Sequence, residues 1–113
     1  MLQPNKILVI RFSSLGDLIL TSPIFRELRR IFPGANLNLL TSVGFGDVLD
    51  NNPHLDRIIK HPRKENFEQL NQLIDELQAE EFDLIYDAHR SMRSRWIVSR
   101  LTAFGMKRKP AVW

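Results

Sequence analysis

The sequence predicts an α/β fold, a parallel sheet with flanking helices, and three observations predict it. The first is KILVIRFSSLGDLILTSPIF at residues 6–25, where a solid apolar run stops at a small polar loop and then resumes with helical spacing. Ile7, Leu8, Val9 and Ile10 are apolar without alternation, as suits a parallel strand covered on both faces. The second is that short apolar runs and helix-spaced segments keep alternating in the order βαβ(α)βαβα, which argues for one right-handed parallel layer. The third is size. The chain has 113 residues without an internal repeat, low-complexity tract or linker, which suits one domain burying roughly 60 to 70% of its unfolded surface.

The first helix is expected from residue 17 or 18 to residue 32, with Leu20, Ile24, Leu28, Ile31 and Phe32 on its buried stripe. Arg26, Glu27, Arg29 and Arg30 then face water. Ser22 followed by Pro23 reads either as an interior kink or as a second helix start, and Pro33 and Gly34 end the helix. Leu37, Leu39 and Leu40 make a second strand, residues 42–46 a turn, and residues 47–50 a short helix broken at Asn51, Asn52 and Pro53. Arg57, Ile58, Ile59 and Lys60 form a third strand, followed by a basic loop of His61, Pro62, Arg63 and Lys64.

Phe67, Leu70, Leu73, Ile74 and Leu77 mark the buried stripe of the next helix, with Glu68, Gln69, Gln72, Asp75 and Glu76 outside. Leu84, Ile85 and Tyr86 follow as a fourth strand, introduced by Phe82 and Asp83 and closed by Asp87, Ala88 and His89. A last helix over residues 92–104 buries Ile97, Leu101 and Phe104, with Gly105 placed to end it. Ala111, Val112 and Trp113 begin a fifth strand that stops short.

Composition narrows the function classes. With no cysteine, disulfides, thiol nucleophiles and cysteine zinc sites are excluded, in agreement with a reducing compartment. The apolar runs are far shorter than the roughly 20 residues a membrane span needs, and the amino terminus does not resemble a signal peptide, so the expected location is the cytoplasm. The net charge of +3 favours anionic partners or an anionic membrane surface. Nucleic acid is not an expected partner, because the basic residues are dispersed and no recognition motif or stacking platform is present.

Ligands of open α/β sheets gather at the carboxyl ends of the strands, which places Ser13, Ser14, Leu15, Gly16 and Asp17 where a first βα loop meets its ligand. The loop lacks both the G-x-G-x-x-G and the G-x-x-x-x-G-K-[ST] phosphate patterns. Gly16 permits close approach of a ligand, and serves a turn equally well. Asp17, the only carboxylate of the loop, reads either as a helix N-cap or as a general base at a cleft mouth. Asp87 and His89 end the fourth strand near the same edge, with His89 a candidate contact to a bound acceptor or simply a strand-end histidine. Ser91, Arg93 and Ser94 start the last helix, where side chains and free amides can hold an anion. His54, His61 and His89 lack metal-ligand spacing, and no metal site or bound cofactor is expected.

The stretch ILVIRFSSLGDLILTSPIFRELRRIFPGANLNLLT resembles the amino terminus of glycosyltransferase family 9, the ADP-heptose:lipopolysaccharide heptosyltransferases. It combines a buried strand ending in Arg, a serine-rich loop closing on Gly-Asp, a Thr-Ser-Pro helix start and a Pro-Gly stop. NNPHLDRII and FDLIYDAHRSMRS resemble later blocks of the family in the correct order. The resemblance implies a GT-B architecture, two Rossmann-like domains facing across a cleft, of which residues 1–113 supply the amino-terminal, acceptor-side domain. The donor-binding carboxy-terminal domain, with its nucleotide-sugar contacts, is expected to be missing, so the chain alone is expected to be inactive and to expose apolar surface that promotes self-association.

The resemblance further implies that Asp17 deprotonates an acceptor hydroxyl, which attacks the anomeric carbon of ADP-heptose with inversion, ADP leaving. The implied acceptor is an anionic lipid-linked inner-core sugar at the cytosolic face of the inner membrane. Ser13, Ser14, Gly16, Arg63, Lys64, His89 and Arg93 are the positions implied to bind it. His89 and Arg90 stand where many members have Gln-Gly. The rival expectation is a non-catalytic α/β binding module for an anionic ligand, in which Asp17 is only a cap.

Overall fold

The apolar runs become strands and helices in the expected order. A computed structural model describes residues 4–13, 15–44, 49–62, 66–102 and 110–112. Its elements are β1 (Lys6–Ile10), α1 (Leu15–Ile31), β2 (Asn36–Ser42), β3 (Arg57–His61), α2 (Phe67–Glu80), β4 (Leu84–Asp87), α3 (Met92–Leu101) and β5 (Ala111–Val112). All neighbouring strands pair in parallel, in the order β3-β2-β1-β4-β5. The expected residues Phe104, Gly105 and Trp113 lie outside the described residues, as does the first half, 47–48, of the short helix expected at 47–50.

β1 is buried on both faces, and its side chains alternate between two cores. Ile7 and Val9 pack with Leu18, Phe25 and Leu28 of α1 and with Leu37 and Leu39 of β2. Leu8 and Ile10 pack on the other side with Leu73, Ile74 and Leu77 of α2 and Ile97 and Leu101 of α3. Right-handed crossovers require this division, since β1 to β2 runs one way across the sheet while β3 to β4 and β4 to β5 run the other. Of the stripes expected on the last two helices, Leu73, Ile74, Leu77, Ile97 and Leu101 are buried, while Phe67 is exposed.

α1 departs from expectation in register. Its buried positions are Leu18, Thr21, Phe25 and Leu28, while Leu20 is 76% exposed and Ile19 and Ile31 are also exposed. The segment LILTSPIF carries apolar residues all round the helix, so periodicity did not select the face that docks. A groove of about 320 Å³ lined by Pro23, Ile24, Glu27, Leu28, Ile31 and Tyr86 lies between this helix and β4. The helix also starts two residues earlier than expected and passes through Pro23 without a second start. Proline has no amide to give the carbonyl four residues back. Ser22 Oγ donates to that carbonyl, Ile19 O, at 2.7 Å.

Arg29, expected to face water, is a structural hub. Its guanidinium donates to Pro33 O at 3.1 Å, Ala35 O at 2.6 Å and His54 O at 2.9 Å, and to Asp56 Oδ2 at 2.6 Å. It thereby satisfies carbonyls at the end of α1 and ties them to the approach to β3.

At the amino ends of the strands, carboxylates finish the sheet. Asp56 donates its amide to Leu37 O at 2.8 Å and accepts the Leu37 amide on Oδ2 at 2.7 Å. Asp83 repeats the arrangement with Lys6, donating to Lys6 O at 2.8 Å and accepting from Lys6 N at 2.9 Å and Asn5 N at 2.8 Å. Burial alone pushes the Asp56 carboxyl up, but the Leu37 amide and Arg29 together hold it below the ordinary aspartate range. Glu80, at the end of α2, pairs with Lys6 of β1 and, at 2.9 Å, with Arg57 of β3. Hydrogen bonds from Lys6 and then Arg57 hold its carboxyl below the ordinary glutamate range.

Two outcomes follow. Phe25→Ala should cost about 3–5 kcal/mol and Leu20→Ala no more than about 0.5 kcal/mol in urea unfolding, the reverse of what the expected stripe demands. For Glu80 the sign is that of a depressed acid: its contribution is complete above the unfolded-state value and is lost as pH falls through the lower folded one. Glu80→Gln should therefore lower stability by about 1 kcal/mol at neutral pH, and the gap from the parent should close as unfolding is measured at progressively more acid pH.

Candidate functional site

The carboxyl ends of β1 and β4 lie side by side, Ile10 being in register with both Leu40 and Asp87. The connection after β1 leaves towards β2 and that after β4 leaves towards β5, so the two loops part here and open a crevice. Residues 11–13 bound it on one side and residues 88–91 on the other. The ladder continues one step into each loop, with Arg11 N on Leu40 O and Ala88 N on Ile10 O, both at 3.0 Å.

Asp17 is the third residue of α1, inside its first turn, and so is not the residue that precedes the helix as an N-cap does. Its side chain is 47% exposed, and Oδ2 lies 2.7 Å from Arg11 Nη2. The carboxylate therefore meets solvent at the crevice mouth. Gly16 sits one residue before it, and a Cβ there would meet nothing within 4 Å. The glycine is thus not demanded by packing, which leaves room for a ligand beside Asp17.

Phe12 joins the two walls. It is buried, with the His89 ring edge-on at 5.6 Å and 89° and the Arg93 guanidinium 3.8 Å above its face. Arg93 also donates from Nη2 to Pro62 O at 3.2 Å, which links the start of α3 to the loop after β3. Burial pushes the His89 imidazole below the ordinary histidine range and Arg11 pushes it further down. Asp87 and a hydrogen bond with the Ser13 backbone pull it partly back, and Arg93 opposes them. His89 is accordingly neutral at pH 7, and its buried Nδ1 has no hydrogen-bond partner among the described residues.

The loop after β4 is held by Asp87, whose Oδ1 accepts from His89 N at 3.1 Å and Arg90 N at 2.8 Å. Arg90 has φ +54°, a left-handed conformation that glycine adopts without strain. Ser91 is the N-cap of α3, and its Oγ and that of Ser94 each accept the other's backbone amide at 3.1 and 2.8 Å. These serines are engaged with each other, contrary to the expectation that they hold an anion.

Of the positions expected to bind, Ser13, Gly16, Asp17, His89 and Arg93 fall along this edge. Ser14, Arg63 and Lys64 lie outside the described residues. Arg11 and Phe12 were not singled out from the sequence as site residues. The available signal was that they are the first residues after a fully buried strand, on the edge where ligands collect. No three His, Cys, Asp or Glu side chains cluster as a metal site among the described residues, and no helix is long and apolar enough to cross a membrane.

Arg90→Gly should raise stability by up to about 1 kcal/mol, the strain relieved exceeding the entropy glycine adds to the unfolded chain. Thermal unfolding of the two chains at one pH measures it.

No family model matches the chain. It is 26% identical over 94% of its length to lipopolysaccharide heptosyltransferase 1 of Pseudomonas aeruginosa, and 27% identical over 90% to that of Escherichia coli. It spans 33% and 34% of those proteins, about a third of their length. Among solved structures it matches the glycosyl transferase family 9 protein of Veillonella parvula with a TM-score of 0.81 at 25% identity, over 88% of this chain and 30% of that one. An E. coli heptosyltransferase solved with ADP-2-deoxy-2-fluoro heptose matches in fold, with a TM-score of 0.70 at 23% identity over 81% of this chain and 32% of that one. In sequence and in fold, the chain resembles glycosyltransferase family 9, that of the lipopolysaccharide heptosyltransferases, over the third of those proteins that it spans.

Proposed function

We propose that this chain is the acceptor-side part of an inverting, heptosyltransferase-like glycosyltransferase, with Asp17 as its general base. The observation that carries the reading is a half-exposed carboxylate at the mouth of the crevice between β1 and β4, in a chain that resembles lipopolysaccharide heptosyltransferases. In this reading an acceptor hydroxyl approaches over Gly16, where the surface is open. The Asp17 carboxylate takes its proton, and the oxygen bonds to the anomeric carbon of ADP-heptose from the face opposite the leaving group as the bond to the diphosphate breaks, ADP departing with the electron pair.

Ser13, Gly16, His89 and Arg93 are assigned to the acceptor, along with Ser14, Arg63 and Lys64. Asp17 presents its carboxylate to solvent at this edge, while Arg11, Arg90 and Arg93 give the edge the positive field an anionic inner-core sugar requires. Donor contacts are assigned to a carboxy-terminal domain of the kind the family resemblance implies. A lipid-linked acceptor places the work at the cytosolic face of the inner membrane, by peripheral contact.

The test supplies this chain with the carboxy-terminal domain of a lipopolysaccharide heptosyltransferase and follows transfer of labelled heptose to inner-core acceptor. Asp17→Asn should lower turnover by about 10²- to 10⁴-fold, the usual share of a positioned base, while leaving the melting temperature within a few degrees. Full turnover by this variant removes Asp17 as the base, absence of transfer by the parent chain points instead to a binding module, and loss of folding of the variant points to a structural role for Asp17.

A further inference from the structure

We propose that Arg11 is the positioning residue of this site, a bridge across the crevice that aims the Asp17 carboxylate. The inference rests on Asp17 being the base, and adds how a side chain with two free torsions and nearly half its surface in water is held ready.

Arg11 is the first residue beyond β1, and its amide is still fixed in the ladder by Leu40 O. Its guanidinium reaches in two directions. Nη1 donates to Ala88 O at 2.7 Å, on the loop after β4. Nη2 meets Asp17 Oδ2 at 2.7 Å, in the first turn of α1. One planar group thus ties together the two loops that part at the crevice and the carboxylate that stands over it. Its own side chain is only 19% exposed, so the anchor is mostly withdrawn from solvent while Asp17 is presented to it.

The geometry requires arginine. A lysine ammonium is a point charge that can pair with Asp17, but it lacks the rigid fork that spans two acceptors in one plane. Keeping arginine here has a cost, because its Nε is buried without a hydrogen-bond partner among the described residues. An apolar residue would avoid that cost, and would remove the pairing of Arg11 with the carboxylate. Placement is worth the expense, since a reacting group displaced by about 1 Å can lose about 100-fold in rate. The same guanidinium also acts on the other wall, where its charge helps to keep His89 neutral.

The first readout uses the 113-residue chain and needs no turnover. With labelled aspartate, the three-bond couplings of Asp17 should report a single χ1 rotamer in the parent, rotamer averaging in Arg11→Gln, and a partial return in Arg11→Lys. Unfolding temperatures are recorded alongside. An Asp17 rotamer unchanged in Arg11→Gln overturns the proposal; if that variant does not fold, Arg11→Lys with Asp17 held as firmly as in the parent overturns it equally.

The second readout is the transfer assay. Arg11→Gln should lower kcat by about 10- to 100-fold with KM within about twofold, and Arg11→Lys should recover part of the loss. In an Asp17→Asn background Arg11→Gln should have no further effect. A loss of the same size in that background means that Arg11 acts independently of Asp17, and overturns the proposal. Full turnover by Asp17→Asn alone brings down the base assignment, whereas the rotamer result still judges the grip of Arg11 on Asp17.

Discussion

Every other feature depends on the pairing of β1 on both sides. A strand buried on both faces can satisfy its backbone amides and carbonyls only through neighbouring strands. β2 and β4 supply them in parallel register. Parallel pairing brings all the carboxyl ends to one edge, and the right-handed crossover rule decides which way each connection leaves. Together these constraints put residues 11–13 beside residues 88–91, far apart in sequence, and make the space between them the natural ligand crevice.

The two edges of the sheet use charge differently. At the amino edge Asp56, Asp83 and Glu80 are spent on strand amides and on Arg29, Lys6 and Arg57, which closes that edge structurally. At the carboxyl edge Arg11 and Arg93 lie against Phe12, Ala88 and Pro62, with Asp17 half in solvent. A net charge of +3 conceals this division. Some cations are part of the scaffold and others line the crevice, and only their partners tell them apart.

Much of the architecture was legible because it rests on local pattern. The unbroken apolar run of β1, the helical spacing of Leu73, Ile74 and Leu77, and the stop at Pro33 and Gly34 each follow from short-range stereochemistry and burial. The position of Asp17 near the carboxyl edge was legible for a similar reason, since it follows the buried strand β1 by a few residues. The stripe of α1 was not. Residues 18–25 offer apolar side chains in every direction, and the sheet selects Leu18, Thr21 and Phe25 over Leu20. Arg29 also escaped, because the carbonyls it gathers come from separate turns.

By itself, the sequence determined the class of fold and the order of its elements, because these depend on residues close together in the chain. Only the tertiary structure decided that Leu18, Thr21 and Phe25 form the docking face of α1, that Arg29 gathers carbonyls from separate turns, and that Arg11 joins Asp17 to Ala88. Those contacts join residues separated along the chain, or select among side chains of equal local propensity. Their geometry is set by strand register and helix docking, which no local pattern encodes.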